Sequence, residues 1–168
     1  MRVMGIDCGS DITGYGVVEP DSRNGDLRCV AAGAIRLGGR DRLPARLARV
    51  FSELRQVIER HHPDQVAIED VFYAANAKSA LKLGHVRGVA MLAAASFELE
   101  VAEYAPLTIK SAVVGYGKAD KVQVQEMVMR LLKLDKRPEP ADVADALAIA
   151  ICHIHTSATL ARHHSTAH

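Results

Sequence analysis

Four carboxylates stand where a protein can do chemistry with them. Asp7 follows the apolar run Val3-Met4-Gly5-Ile6, and Glu69 follows Val66-Ala67-Ile68. Acids so placed end buried strands, which is where open α/β sheets hold their ligands. Each is expected to be half buried, and a buried carboxylate needs a partner or a metal to stay ionised. Asp142 and Asp145 are three residues apart, so on a helix both project from one face of the first turn. Taken singly, either is equally well explained as an acid that caps a helix N-terminus and answers its dipole. If the two strands are neighbours and the helix packs across them, the four acids converge. Three or four carboxylates with few other ligands suit hard cations such as Mg²⁺ or Mn²⁺. Two such ions ~4 Å apart would activate a water on one side of a phosphodiester and stabilise the leaving oxygen on the other.

The elements that must position these acids can be read along the chain. Val3 to Ile6 is a short buried strand, and Tyr15 to Val18 is a second, closed by turn-forming residues from Pro20 to Gly25. Leu27 to Leu37 is a third, so the first three form an antiparallel meander. Apolar residues from Leu43 to Ile58 recur at helical spacing, and that helix stops before Pro63. Val66 to Ile68 is a fourth strand, followed by an Ala- and Gly-rich helix from about Ala77 to Phe97 and a fifth strand from Val101 to Tyr104. The rest is helical. Asp120 with Gln123 resembles a capping box, and after Pro138 and Pro140 a last Ala-rich helix runs from Ala141 to about His155. The expected fold is α/β, a five-stranded mixed sheet with three antiparallel and then parallel strands, flanked by helices. Residues 1–155 make one domain, and 156–168 are expected to be a disordered tail.

Composition narrows the class. With 168 residues the chain can bury one real core and not two. Hydrophobic residues at 49% and charged residues at 24% exclude a disordered or fibrous chain. No apolar run in the sequence approaches the roughly 18–20 residues that cross a bilayer, and no export signal opens the chain, so a cytoplasmic protein without a membrane span is expected. Cys8, Cys29 and Cys152 are far apart and read as free thiols. The net charge is +1, but seven arginines face only Asp41, Glu53 and Glu59 between Arg36 and Arg60. Seven Lys or Arg likewise face three acids between Lys110 and Arg137. Gathering several carboxylates in one site would leave the remaining surface basic, which permits a nucleic-acid partner; solvated helix faces explain the same runs.

The residues around the acids form recognisable blocks. Gly5-Ile6-Asp7-x-Gly9-Ser10-x-x-Thr13-Gly14-Tyr15-Gly16-Val17 resembles the opening of the bacterial RuvC Holliday-junction resolvases. So do Ala67-Ile68-Glu69-Asp70-Val71-Phe72, Ser79-Ala80-Leu81-Lys82-Leu83-Gly84, Arg87-Gly88-Val89-Ala90, and the segment from Ala141 to Ala150. Their order and spacing match from residue 1 to about His155. The resemblance implies an RNase H-like fold and a homodimeric, metal-dependent nuclease that nicks four-way DNA junctions, leaving 5′-phosphate and 3′-hydroxyl ends. It implies Asp7, Glu69, Asp142 and Asp145 as holders of two Mg²⁺ ions per subunit, with Mn²⁺ as a substitute. Lys110 and Lys121 match lysines that assist near the scissile phosphate, although plain surface charge would also account for them. Phe72 matches an aromatic inserted among bases at the crossover; the alternative is a core phenylalanine. Lys78, Lys82, Arg87 and Lys118 complete the expected DNA-contacting set, and RuvA and RuvB are the implied partners. In one departure, Cys8 stands where the family usually has proline, a change with no bearing on metal binding.

Rival classes share parts of this pattern. The opening Gly-x-Asp-x-Gly-Ser also resembles the phosphate turn of actin-like ATPases and sugar kinases, but those need two such domains, and no G-x-x-x-x-G-K-[ST] loop is present. A related single-domain family proposed to trim ribosomal RNA precursors (YqgF-like) has shorter chains that lack Lys82-Leu83-Gly84-x-x-Arg87-Gly88 as it stands in this sequence. A junction-binding protein without catalysis would not need all four acids. His153 and His155, two apart on a helix, point in different directions and make a poor chelate. Ala80, Gly84, Gly88 and Ala95 mark a helix face fit for close contact, either with a second subunit or with the chain's own sheet.

Overall fold

The computed structural model describes residues 1–39, 41–70 and 77–165, with side chains as far as Leu160. The predicted meander is β1 (Val3–Cys8), β2 (Ile12–Pro20) and β3 (Leu27–Arg36), paired antiparallel. After it come α1 (Leu43–His61), β4 (Gln65–Glu69), α2 (Ala77–Ala95), β5 (Glu100–Tyr104), α3 (Pro106–Val114), α4 (Lys121–Leu131) and α5 (Ala141–Ser165). The strands form one sheet in the order β3-β2-β1-β4-β5, with β4 parallel to β1 and β5 parallel to β4. This is the mixed sheet the sequence predicts.

Alternation along the strands divides the core into two layers. Met4, Ile6, Val17 and Ile68 pack beneath α1 and α2, while Val3, Val18 and Ala67 pack beneath α3, α4 and α5. The second layer is unusually thin because glycine lets α5 lie directly on the strands. A Cβ on Gly5 would stand 2.0 Å from the carbonyl oxygen of Ala146, and one on Gly14 would stand 2.1 Å from that of Asp142. Both obstacles are backbone atoms, which cannot swing aside. Gly5→Ala is therefore expected to destabilise the protein by at least about 3 kcal/mol, readable as a shifted urea midpoint. A midpoint equal to wild type would mean that α5 can lift without loss.

Two features of α5 depart from expectation. It does not end near His155 but continues to Ser165. No Gly or Pro follows Pro140 to stop it, and the Thr156 and Thr159 hydroxyls donate back to the carbonyls of Cys152 and His155, at 2.8 and 2.9 Å. Also, contrary to the expectation that no run approaches membrane-crossing length, its stretch Ala141–Leu160 is long and apolar enough to cross a membrane. Most of that stretch is buried inside the fold, so the apolar composition is that of a central core helix.

Candidate active site

The parallel pairing of Gly5 with Ala67 and Ile6 with Ile68 leads, one step on, to Asp7 level with Glu69. Both acids leave the sheet on the side covered by α5, since Gly5, two residues before Asp7, meets that helix there. Proline-rich sequence before Ala141 starts α5 above the same strand ends, so Asp142 and Asp145 sit in its opening turns. The Asp142 Oδ1 lies 3.6 Å from where a Cβ on Gly9 would be. A cleft of about 680 Å³ is lined by Asp7, Glu69 and Asp142 and walled by Leu83, Pro106 and Leu107. A smaller cavity of about 200 Å³ is lined by Glu69, Asp145, Lys110 and Lys121. Glu69 borders both, so the four acids share one site.

Their electrostatics say the same. Burial pushes the Asp7 carboxyl up to about 7, and Asp145, Glu69 and Asp142 push it the same way while Lys121 opposes them. Glu69 is also raised, first by burial and then by Asp145, with Lys110 and Lys121 pulling it down. Lys121 Nζ lies 2.7 Å from Asp145 Oδ2, a contact that raises the lysine's own pKa. Position fixes that lysine. The predicted capping box is present, with Gln123 N–H donating to Asp120 Oδ1 and Asp120 N–H donating to Gln123 Oε1, both at 2.9 Å. It sets the start of α4 and makes Lys121 the first helical residue. A cation there opposes the helix dipole, so its placement serves the acids and not the helix.

The donor set is all oxygen, partly buried and self-repelling, and two lysines offset only part of its charge. That chemistry fits a hard divalent cation, whose charge would relieve the repulsion. As the side chains stand, no three His, Cys, Asp or Glu among the described residues are grouped closely enough to hold a metal ion. Like charges in a low-dielectric site hold apart until a cation screens them, and Lys121 occupies Asp145.

The other predicted residues divide. Lys110 borders the acid site. Lys78, Lys82 and Lys118 are exposed, Lys82 beside a separate small cleft with Ser10 and Arg46. Arg87, expected to contact DNA, is paired with acids in this structure. Its guanidinium pairs with Glu103 and with Asp70 at 3.4 Å, and its Nε–H donates to the Glu69 carbonyl at 3.3 Å. It braces the strand end that carries Glu69. Phe72 lies outside the described residues. Cys8 packs on the face opposite Asp7, its thiol pushed up to about 12 chiefly by burial, which suits neither a nucleophile nor a ligand. The sequence marks Arg46 only as one member of an arginine-rich run. Its guanidinium donates to the Ser10 carbonyl and pairs with Asp11 at 3.0 Å, holding the turn that follows β1.

The chain as a whole is similar to known proteins. Residues 3–153 match the family model described as Crossover junction endodeoxyribonuclease RuvC. The protein of that description from Koribacter versatilis is 69% identical over 167 residues, covering 99% of this chain and 100% of the relative. That from Acidobacterium capsulatum is 61% identical, covering 95% and 96%. Among solved structures, Thermus thermophilus RuvC superposes with a TM-score of 0.87 at 31% identity, covering 95% of this chain and 96% of that one. The same protein in complex with a Holliday junction substrate gives 0.86 at 29%, with the same coverage.

Proposed function

This chain belongs to the RuvC family of crossover junction endodeoxyribonucleases, and we propose that it resolves four-way DNA junctions through the four-acid site described above. Its kinase-like, RNA-trimming and non-catalytic readings fall away with that membership. The observation that carries the mechanism is the gathering of the four acids along two adjoining cavities that share Glu69, where Asp145 raises both Asp7 and Glu69, and Asp142 raises Asp7. Asp7, Glu69, Asp142 and Asp145 would hold two Mg²⁺ ions, replaceable by Mn²⁺, which supply an activated water and charge for the leaving oxygen. Lys121 and Lys110 face the same space and stabilise the negative charge that grows on the phosphate during in-line attack. The products carry 5′-phosphate and 3′-hydroxyl ends. Lys78, Lys82 and Lys118 add general phosphate affinity, which makes binding strongly salt-dependent. The test is cleavage of a synthetic mobile four-way junction with Mg²⁺ and with chelator, beside a linear duplex. Metal-dependent cleavage confined to the junction is expected; cleavage of the duplex at an equal rate would contradict it.

One such site makes one nick, so resolution calls for two subunits, and α2 offers the face. Ala80, Gly84, Gly88 and Ala95 are all exposed, flanked by Leu81 and Leu92 at 66% and 58% exposure, while Val86, Ala90, Ala93 and Ala94 cover the sheet. Among the described residues, the small-residue stripe is therefore left exposed. An exposed glycine inside a helix costs about 1 kcal/mol relative to alanine, which close approach of a second α2 would repay. Among the described residues, and apart from the helix's own backbone, nothing lies within 4 Å of a Cβ on Gly88. Gly88→Glu should therefore fold normally yet sediment as a monomer, and a variant that remains dimeric would move the interface elsewhere. RuvA and RuvB as partners, and a cytoplasmic site of action, are carried over from the resemblance and are testable by co-purification.

A further inference from the structure

His153 lies on α5, eight positions beyond Asp145, and lines neither cavity of the acid site. It is 6% exposed, on a helix whose other buried positions are Val, Ala, Leu, Ile and Cys. A polar ring there is costly unless it is fully satisfied, and it is. The Tyr104 hydroxyl lies 2.8 Å from Nδ1, and Gln65 Oε1 lies 2.7 Å from Nε2. The Gln65 amide nitrogen donates to the Glu100 carboxylate at 2.9 Å, which leaves Oε1 to accept. Nε2 therefore carries the proton, and Nδ1 accepts from Tyr104.

The two partners of the ring are tied to one catalytic strand. Gln65 is the first residue of β4, whose last is Glu69, and Tyr104 is the cross-strand partner of Glu69 in β5. Asp70 N–H also donates to the Tyr104 carbonyl at 2.8 Å. Apolar contacts are non-directional and by themselves set the position of a helix along a strand only loosely. Two directional hydrogen bonds from one ring to β4 and β5 set it closely, and fixing register is the best-attested use of a buried polar group. We propose that His153 is a positioning residue: through Tyr104 and Gln65 it fixes α5 along β4 and β5, and so sets Asp142 and Asp145 at their distance from Glu69.

The inference rests on the four-acid reading, so the test separates the two. Mn²⁺ affinity is measured by calorimetry on the dimer without DNA, together with junction binding, single-turnover cleavage and melting temperature. In His153→Leu, Mn²⁺ affinity and cleavage should each fall about tenfold or more, the usual effect of losing support behind metal ligands, with junction binding unchanged. His153→Gln, which can still donate and accept, should recover most of the loss. Tyr104→Phe removes only a hydroxyl and should show the same pattern more weakly, and it serves if His153→Leu does not fold. Wild-type Mn²⁺ affinity and rate in both His153→Leu and Tyr104→Phe would overturn the proposal. So would parallel loss of melting temperature, junction binding and metal affinity in Tyr104→Phe, which marks a merely structural contact. If wild type binds no Mn²⁺ and cuts no junction, the four-acid reading fails instead.

Discussion

Asp7→Asn should abolish strand cleavage, by at least about a thousandfold, while the protein binds a four-way junction as tightly as wild type or more tightly. The substitution removes a ligand for the cation and, at the same stroke, a negative charge that faces phosphate. It should also stabilise the protein in the absence of divalent metal. Burial and three neighbouring acids push the folded Asp7 carboxyl up to about 7, from an ordinary 3.8. The folded protein thus holds this proton more tightly than the unfolded chain does. Stability is then fully present below about pH 4, falls as pH rises, and is lost once pH passes about 7. The loss is on the order of a few kcal/mol, and asparagine, which carries no charge, does not suffer it. Melting curves with chelator should therefore show Asp7→Asn gaining on wild type from pH 5 to pH 8. Mg²⁺ should stabilise wild type strongly and the variant weakly. Near wild-type cleavage by Asp7→Asn would remove Asp7 from the site.

Lys121→Ala should slow single-turnover cleavage about a hundredfold and weaken junction binding by only a few-fold. The ammonium sits on Asp145 and acts on Asp7 and Glu69, so it belongs with the four acids on which the proposed mechanism rests. Charge that meets growing negative charge lowers the barrier more than it deepens ground-state binding. Lys121→Arg should recover part of the rate. Equal losses in rate and affinity would mean that Lys121 serves only as surface charge.

The acids were legible in the sequence because each chemical signal coincided with a structural one. Asp7 and Glu69 close apolar runs, Asp142 and Asp145 share a helix turn, and the Asp120–Gln123 box announced the start of α4. Strand lengths were less legible. β2 runs from Ile12 to Pro20, beyond its apolar centre, because pairing on both edges holds polar and glycine positions extended. α3 has a proline at its start and Gly115 in the left-handed region at its end, signals that lack a clear helical period between them. The ion pairs of Arg87 were not legible because its acidic partners come from other elements, Asp70 beyond β4 and Glu103 in β5. The role of His153 has no local signal, because its partners lie 49 and 88 residues away in the chain. Side-chain pairs brought together by the fold leave no local trace.

The claim that two such sites act together in one complex is tested by mixing subunits. Wild-type chains are combined with an excess of Asp7→Asn chains and added, with Mg²⁺, to a supercoiled plasmid bearing an extruded cruciform. Wild-type dimers should release mostly linear plasmid, the product of two nicks across one junction. Mixed dimers hold one working site and should release nicked circles, which rise as the variant is added. If linear product falls only in proportion to the wild-type chains, with no rise in nicked circles, the paired-site account is wrong.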